Sequence, residues 1–151
     1  MTAYFLTIIF VMELSLSFLP NIQVTTLLMI VFATNYKLKY VVTLTFGYVF
    51  LNGMAYGFSL YLVSMLVGWL VLNVTINLLH TRNLHVLTLS SLLFGLFYGM
   101  FFVPINVLLT GVDFWAYIMA DIPFALLFAA SNILTVLYLY KPIDKIVRKY
   151  G

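Results

Sequence analysis

Long apolar stretches separated by short polar breaks run along the whole chain. The breaks contain proline, asparagine, glycine or basic residues, which end helices or form turns. A hydrocarbon core about 30 Å thick needs about 20 apolar residues per helical span. The pattern therefore predicts six membrane-spanning helices, at about 3–19, 23–35, 40–52, 58–79, 86–109 and 114–140, and an amphipathic tail at 141–151.

The composition indicates that lipid is the solvent of this chain. Of its 151 residues, 65% are hydrophobic and only 7% are charged, whereas a soluble domain carries about 25% charged residues. So few charges cannot form a shell that faces water. We therefore predict a single all-α integral membrane domain, folded as a compact six-helix bundle.

The first apolar stretch is interpreted as a retained span and not as a secretory signal. No lysine or arginine precedes it, and Glu13 interrupts it, whereas a signal peptide has a basic start and an uncharged centre. The second stretch is short for a span, and a re-entrant segment is its alternative. A helix this short has to be buried by its neighbours or lie where the bilayer is thin.

The basic residues decide between these alternatives, because lysine and arginine in short loops stay in the cytoplasm. Six spans with a cytoplasmic N-terminus place every basic residue inside, whereas a non-crossing second segment moves three of them outside. We therefore predict that both termini are cytoplasmic. The seven basic residues are Lys37, Lys39, Arg82, Lys141, Lys145, Arg148 and Lys149.

The tail combines an apolar stripe with basic residues. Ile143, Ile146, Val147 and Tyr150 follow helical spacing, and the tail's lysines and Arg148 lie away from them. This pattern predicts a short amphipathic helix along the inner headgroups.

Two acidic residues fall within predicted spans, both toward the outer side. A charged carboxylate in a span costs at least about 2.5 kcal/mol on insertion scales, so it faces a cavity or a partner. Glu13 and Asp121 therefore either line an outward-facing polar pocket or hold helices together. No basic residue lies at their depth, so each acid is expected to be hydrogen-bonded, protonated, or available to a ligand that carries hydrogen-bond donors or positive charge.

Other candidate polar and aromatic residues lie near the outer mouth or deeper in their spans. Trp69 lies in the middle of its span, where a pocket wall and a packed core look alike. Trp115 and Tyr117 suit either a ligand site or the aromatic belt of the interface. The remaining candidates near the outer mouth are Asn21, Gln23, Asn52, Tyr56 and Asn106.

Nothing in the sequence supports an enzyme. It contains no phosphate-binding glycine loop, no HExxH motif and no cysteine. We predict no catalytic residue, no cofactor, no metal site and no nucleic-acid partner.

Several motifs resemble the substrate-binding S components of energy-coupling factor (ECF) vitamin transporters. They are the run from Leu19 to Leu28 before a basic loop, Gly68-Trp69, Tyr98-Gly99-Met100 through Pro104-Ile105-Asn106, Tyr117 to Pro123, Ser131-Asn132 and Tyr140-Lys141-Pro142. The likeness covers nearly the whole chain and agrees with six spans.

The resemblance implies a multi-pass protein of the bacterial cell membrane that captures a vitamin or related micronutrient from outside. It also implies partners, a transmembrane T component and two cytoplasmic ATPases. In that family an Ala-xxx-Ala motif on helix 1 docks on the T component, and here the position reads Ala3-xxx-Thr7. Lys37, Lys39 and Arg82 are further candidates for partner docking. By position, the ligand pocket would include Trp69, Asn106 and Asp121.

Two other functions remain open at this level. One is a stand-alone proton-coupled transporter or channel with Glu13 and Asp121 as a relay, which needs polar groups that continue to the inner face. The other is a membrane assembly protein whose carboxylates only bind another subunit.

Overall fold

The computed structural model describes residues 2–18 and 24–150, except for the side chain of Tyr150. These ranges are mostly helical and contain no strand. The helices are α1 (Thr2–Leu16), α2 (Thr25–Asn35), α3 (Leu38–Tyr56), α4 (Tyr61–Leu79), α5 (Leu84–Phe97), α6 (Val103–Thr110) and α7 (Phe114–Tyr150).

A 3₁₀ turn at Tyr98–Phe102 joins α5 to α6, so the two helices form one interrupted rod. Its cause lies in the sequence. Pro104 has no N–H, and its ring would clash with the carbonyl of Met100 in a continuous α-helix. The described part of the chain therefore has six helical segments, which confirms the predicted number of helices and the all-α class.

The short helix α2 lies in the centre of the bundle. It packs against α1, α3, α4, α5 and α7, and every residue from Thr25 to Ala33 is buried. Of the two alternatives stated for this short second helix, burial by its neighbours is the one that the structure shows.

Side-chain contacts show that successive helical segments alternate in direction. Near the N-terminus, Phe5 packs on Phe32 and Tyr36 at the end of α2. Near the C-terminus, Asp144 accepts a hydrogen bond from Asn35, also at the end of α2. Arg82, from the α4–α5 loop, also bonds to Asn35. Both terminal regions therefore lie at one end of the bundle.

All seven lysines and arginines lie at this end, which we call the basic end. Three of the four acidic residues, Glu13, Asp113 and Asp121, lie toward the other end, which we call the acidic end. The alternation places the two signs of charge toward opposite ends of the bundle.

Within residues 2–18 and 24–150, three helices are long and apolar enough to cross a membrane. They are α4, the α5–α6 rod and α7, of which the 36 residues Phe114–Lys149 form the candidate span. Helices α1 and α2 are apolar but shorter than a full span. Helix α3 has 19 residues, and its interior carries Thr43, Thr45 and Asn52.

The observed bounds differ from the predicted spans mainly in α3 and α7. Helix α3 continues to Tyr56, so the stretch from Asn52 to Tyr56 is helical. Helix α7 runs through Pro142 into the tail without a break. Ile143 and Val147 of the tail pack against the core, whereas Ile146 is exposed. The tail is therefore a direct extension of α7.

Helices α5 and α7 form the most extensive pair in the bundle, and Gly95 allows their close approach. A Cβ placed on Gly95 would lie 2.6 Å from Cα of Ala129. Beside this crossing, the amide of Asn132 donates to the carbonyl of Ser91 at 3.0 Å. The pair thus combines backbone contact with an interhelical hydrogen bond, as small residues in membrane helices permit.

Candidate functional site

A cavity of about 180 Å³ opens at the acidic end, between the 3₁₀ turn and α7. Asp121 is its one acidic lining residue, and the half-buried Tyr117 lies one helical turn before it. The other lining residues are Gly95, Tyr98, Gly99, Phe102, Phe124, Ala125 and Phe128. We call this cavity the Asp121 pocket.

Gly99 makes room for the carboxylate in this pocket. A Cβ on Gly99 would collide with the carboxyl group of Asp121. The Tyr117 hydroxyl donates to the carbonyl of Gly99 at 3.4 Å. Gly99 therefore fixes both the space for the acid and the position of the neighbouring tyrosine.

Aromatic rings form most of the pocket wall. Tyr98 meets Phe102 and Phe128 edge to face, with ring centroids 5.2 and 5.6 Å away. On α7, residues 117, 121, 124, 125 and 128 follow helical spacing, so they share one face. The pocket thus places one acid among five aromatic side chains.

The Asp121 carboxylate has no protein partner within the described part of the chain. No group there donates a hydrogen bond to it, and the salt bridge that occurs there joins two other residues. The nearby Tyr117 hydroxyl interacts with it electrostatically but is directed to the Gly99 carbonyl. An acid in this state retains its full capacity to accept hydrogen bonds or to pair with a cation.

Glu13 lies in a second polar cluster, between α1 and α3. The amide of Asn52 donates to Oε2 of Glu13 at 3.2 Å, and the Tyr48 hydroxyl also hydrogen-bonds to this carboxylate. Asn52 and Tyr48 are both buried. The cluster therefore fits the helix-holding alternative for Glu13, because its carboxylate is engaged by α3.

The two acids do not form one site. Helix α1 packs against α2 and α3, whereas α7 packs against α2, α5, α6 and the 3₁₀ turn. Tyr98 lies between them, since it lines the Asp121 pocket and is within electrostatic range of Glu13. No hydrogen bond joins Glu13 to Asp121 in the described ranges.

Trp69 belongs to the packed core between these two clusters. It is 1% exposed, and its ring contacts those of Tyr48, Phe94 and Tyr98 at centroid distances of 5.0–5.8 Å. Through Tyr98 it supports the wall of the Asp121 pocket, although it does not line that pocket.

The remaining candidates at the acidic end are dispersed. Asn106 accepts a hydrogen bond from the Tyr61 hydroxyl at 3.1 Å and so joins α6 to α4. Tyr56 and Trp115 are exposed, at 62% and 66%. Asn21 and Gln23 lie outside the described residues.

The candidate docking residues are accessible on the bundle surface. Ala3 and Thr7 are exposed, and the Thr7 hydroxyl donates to the Ala3 carbonyl at 3.0 Å. Lys37, Lys39 and Arg82 are exposed at the basic end. Lys37 and Arg82 also line a shallow cavity of about 600 Å³, larger than the Asp121 pocket.

A polar network at the basic end was not predicted from the sequence. Asp144 accepts from Asn35 at 2.7 Å and pairs with Arg148 at 2.8 Å. Asn35 in turn accepts from Arg82 at 3.1 Å, and the Tyr140 hydroxyl bonds to Thr34. The network joins α2, α7 and the α4–α5 loop, so its polar groups are used to hold the bundle together.

The sequence did contain a signal for the pocket wall. Tyr117, Asp121, Phe124 and Phe128 recur at helical spacing around a single acid, and this face identifies what surrounds Asp121. The partners contributed by the 3₁₀ turn depend on tertiary packing and have no comparable signal. In the structure, Gly95 allows the close approach of α5 and α7, and Gly99 accommodates the acid.

Comparison with known proteins gives no relative for this chain: no protein-family model, no curated protein and no solved structure matches it. The fold and site therefore define it only as an all-helical, membrane-compatible bundle with an acid-containing pocket near one end.

Proposed function

We propose that this protein is a membrane-embedded substrate-capture subunit of the S-component type. In this role it binds a small molecule from outside the cell and delivers it together with a T component and two ATPases. The observation that carries the proposal is the Asp121 carboxylate, which lies in an aromatic-walled pocket at the acidic end and has no partner among the described residues.

The distribution of charge supports the orientation that this function needs. Seven basic residues lie at one end of the bundle, and basic loops are retained in the cytoplasm. The Asp121 pocket, near the other end, then faces the exterior, where a capture subunit meets its ligand.

The hydrogen bonds that the interior amides make also support substrate capture over proton conduction. Asn73 donates to Thr45 at 2.8 Å, Asn77 to the backbone carbonyls of Ala33 and Tyr36, and Asn132 to Ser91. These amides lie between the acids and the basic end, and they join neighbouring helices. A proton relay from Asp121 would have to use groups that already hold the bundle together.

The test is identification by mass spectrometry of the small molecule that co-purifies with the protein. Asp121→Asn should lower ligand occupancy or affinity by about tenfold or more, since a charged hydrogen bond contributes about 1.5–3 kcal/mol. Membrane expression should be unchanged. Equal affinity in the variant would assign Asp121 to helix packing, as a membrane assembly protein requires.

Asp113→Asn is the matched control, because it removes the same charge at the same end of the bundle. Asp113 is exposed and caps α7, with Oδ2 3.0 Å from the backbone N of Ala116. Asparagine caps helices as well as aspartate does, so binding should persist. Ion-driven uptake by this chain alone in liposomes would instead establish a secondary transporter.

A further inference from the structure

The chemistry of the Asp121 pocket narrows the class of ligand, given the proposed function. We propose that the pocket binds an organic cation, with an ammonium group held between the Asp121 carboxylate and the surrounding aromatic rings. The group belongs either to a small free ligand or to the charged part of a larger one.

The first argument is the sign of charge. Asp121 is the one charged residue in the pocket lining, and all the lysines and arginines lie at the basic end. An anionic ligand would bring a second negative charge beside this carboxylate with no cation to offset it. A ligand with positive charge supplies the counter-charge that the described residues do not provide.

The second argument is the aromatic lining of the pocket. Tyr98, Phe102, Tyr117, Phe124 and Phe128 line the pocket around the acid. The faces of aromatic rings attract cations, and cages of such rings recognise quaternary ammonium groups. The combination of a carboxylate and several rings therefore suits an organic cation better than a neutral apolar group.

The third argument distinguishes an organic cation from a metal ion. Hard metal ions such as Ca²⁺ take six to eight oxygen ligands, whereas most lining residues here present carbon. In the described ranges, no three histidine, cysteine or acidic residues cluster around a possible metal position. The donor set is too poor in oxygen for such an ion.

The volume sets the size of the bound group. The cavity of about 180 Å³ is smaller than the ~300–1,000 Å³ of typical ligand pockets. A choline-sized trimethylammonium group is therefore the appropriate probe.

The experiment measures binding of choline and of its neutral isostere, 3,3-dimethyl-1-butanol, to the purified full-length chain in lipid nanodiscs. Ligand-observed NMR follows both compounds. Choline should bind, and the isostere should bind at least about tenfold more weakly, since the charge interacts with both the acid and the rings. Equal binding of the two compounds, or no binding of choline, would overturn the proposal.

Two variants test the mechanism. Asp121→Asn and Phe124→Leu should each weaken choline binding, by about tenfold and about threefold respectively, while Asp113→Asn should not. Near-UV circular dichroism checks that each variant keeps its tertiary structure. Binding that survives both pocket substitutions would place the cation elsewhere and contradict the assignment.

The outcomes also separate this inference from the proposed function. Mass spectrometry could find a neutral or anionic ligand whose binding needs the acidic end. In that case the proposed capture function is supported, and the proposal of an organic cation is wrong. If neither a co-purified molecule nor choline binds, both proposals are wrong.

Discussion

Helix α7 carries two aspartates in opposite situations, one toward each end of the bundle. Asp144, at the basic end, is buried and is engaged by both Asn35 and Arg148. Asp121, at the acidic end, is half-buried beside a cavity and has no partner among the described residues. The same side chain on the same helix is therefore saturated at one end and unsatisfied at the other.

This difference distinguishes polar side chains that stabilise the fold from polar side chains that are available to bind a ligand. A buried charge is tolerated when hydrogen bonds and an opposite charge replace its water, as they do around Asp144. An unsatisfied acid costs stability, and such costs persist where a site needs them. We therefore interpret the network around Asp144 as one that holds the bundle together, and the Asp121 pocket as the site of the proposed binding.

The largest effect is expected at the α5–α7 contact that supports the pocket. Gly95→Ala places a methyl group 2.6 Å from Cα of Ala129, so the two helices must separate. Overpacking of this kind costs about 1–3 kcal/mol of unfolding free energy. The measurement is the midpoint of unfolding in detergent, followed by tryptophan fluorescence.

Gly47→Ala is the control for this substitution. Its new methyl group would lie 2.8 Å from Cδ2 of Leu6, a flexible side-chain end that can move. Both variants gain the higher helix propensity of alanine, about 1 kcal/mol, so Gly47→Ala should be neutral or more stable. Equal destabilisation by the two substitutions would show that close backbone contact at Gly95 is not what matters.

The sequence predicts much of this fold because its signals are local. Apolar run lengths and turn residues predict six helical segments, and the shortness of the second one predicts that it is either buried by its neighbours or lies where the bilayer is thin. The exact helix ends are less predictable, since glycines near Asn52 suggest a turn where α3 continues to Tyr56. At the tail, Lys141 and Pro142 suggest a break, but α7 continues because Tyr140 and Asp144 pack against α2.

The candidate site is less predictable, because a hydrogen-bond partner on another helix leaves no pattern in the neighbouring sequence. The sequence identifies Glu13 and Asp121 as similar acids at similar depth. The structure distinguishes them, since Asn52 and Tyr48 engage Glu13 while Asp121 has a cavity beside it. Which of two such acids is satisfied depends on tertiary contacts alone.

Removing the charge of each aspartate on α7 should change stability in opposite directions. Asp144→Asn loses the ion pair with Arg148 and a charge-assisted bond from Asn35, which should lower the unfolding free energy by about 1 kcal/mol. Asp121→Asn removes a charge that has no partner among the described residues and should raise the unfolding free energy by about 0.5 kcal/mol. Unfolding of both variants in one detergent at pH 7 makes the comparison.

A loss of stability in Asp121→Asn would remove the contrast between the two ends. It would mean that this carboxylate holds helices together, as Glu13 does through Asn52. The stability measurement thus tests the pocket without knowledge of its ligand.

The smallest effect on the folded chain is expected at the surface of α1, where the proposed function places a docking face. Ala3 is exposed, and Thr7 beside it bonds only within its own helix, so Ala3→Phe should change neither stability nor ligand affinity. Uptake with the partner subunits should fall about tenfold or more, because a bulky ring keeps two closely packed helices apart. Ala130→Phe, at an exposed position on α7, is the matched control and should leave uptake intact. Normal uptake by the Ala3 variant would place docking on another face, and the exposed basic end around Lys37 and Arg82 would be the next surface to test.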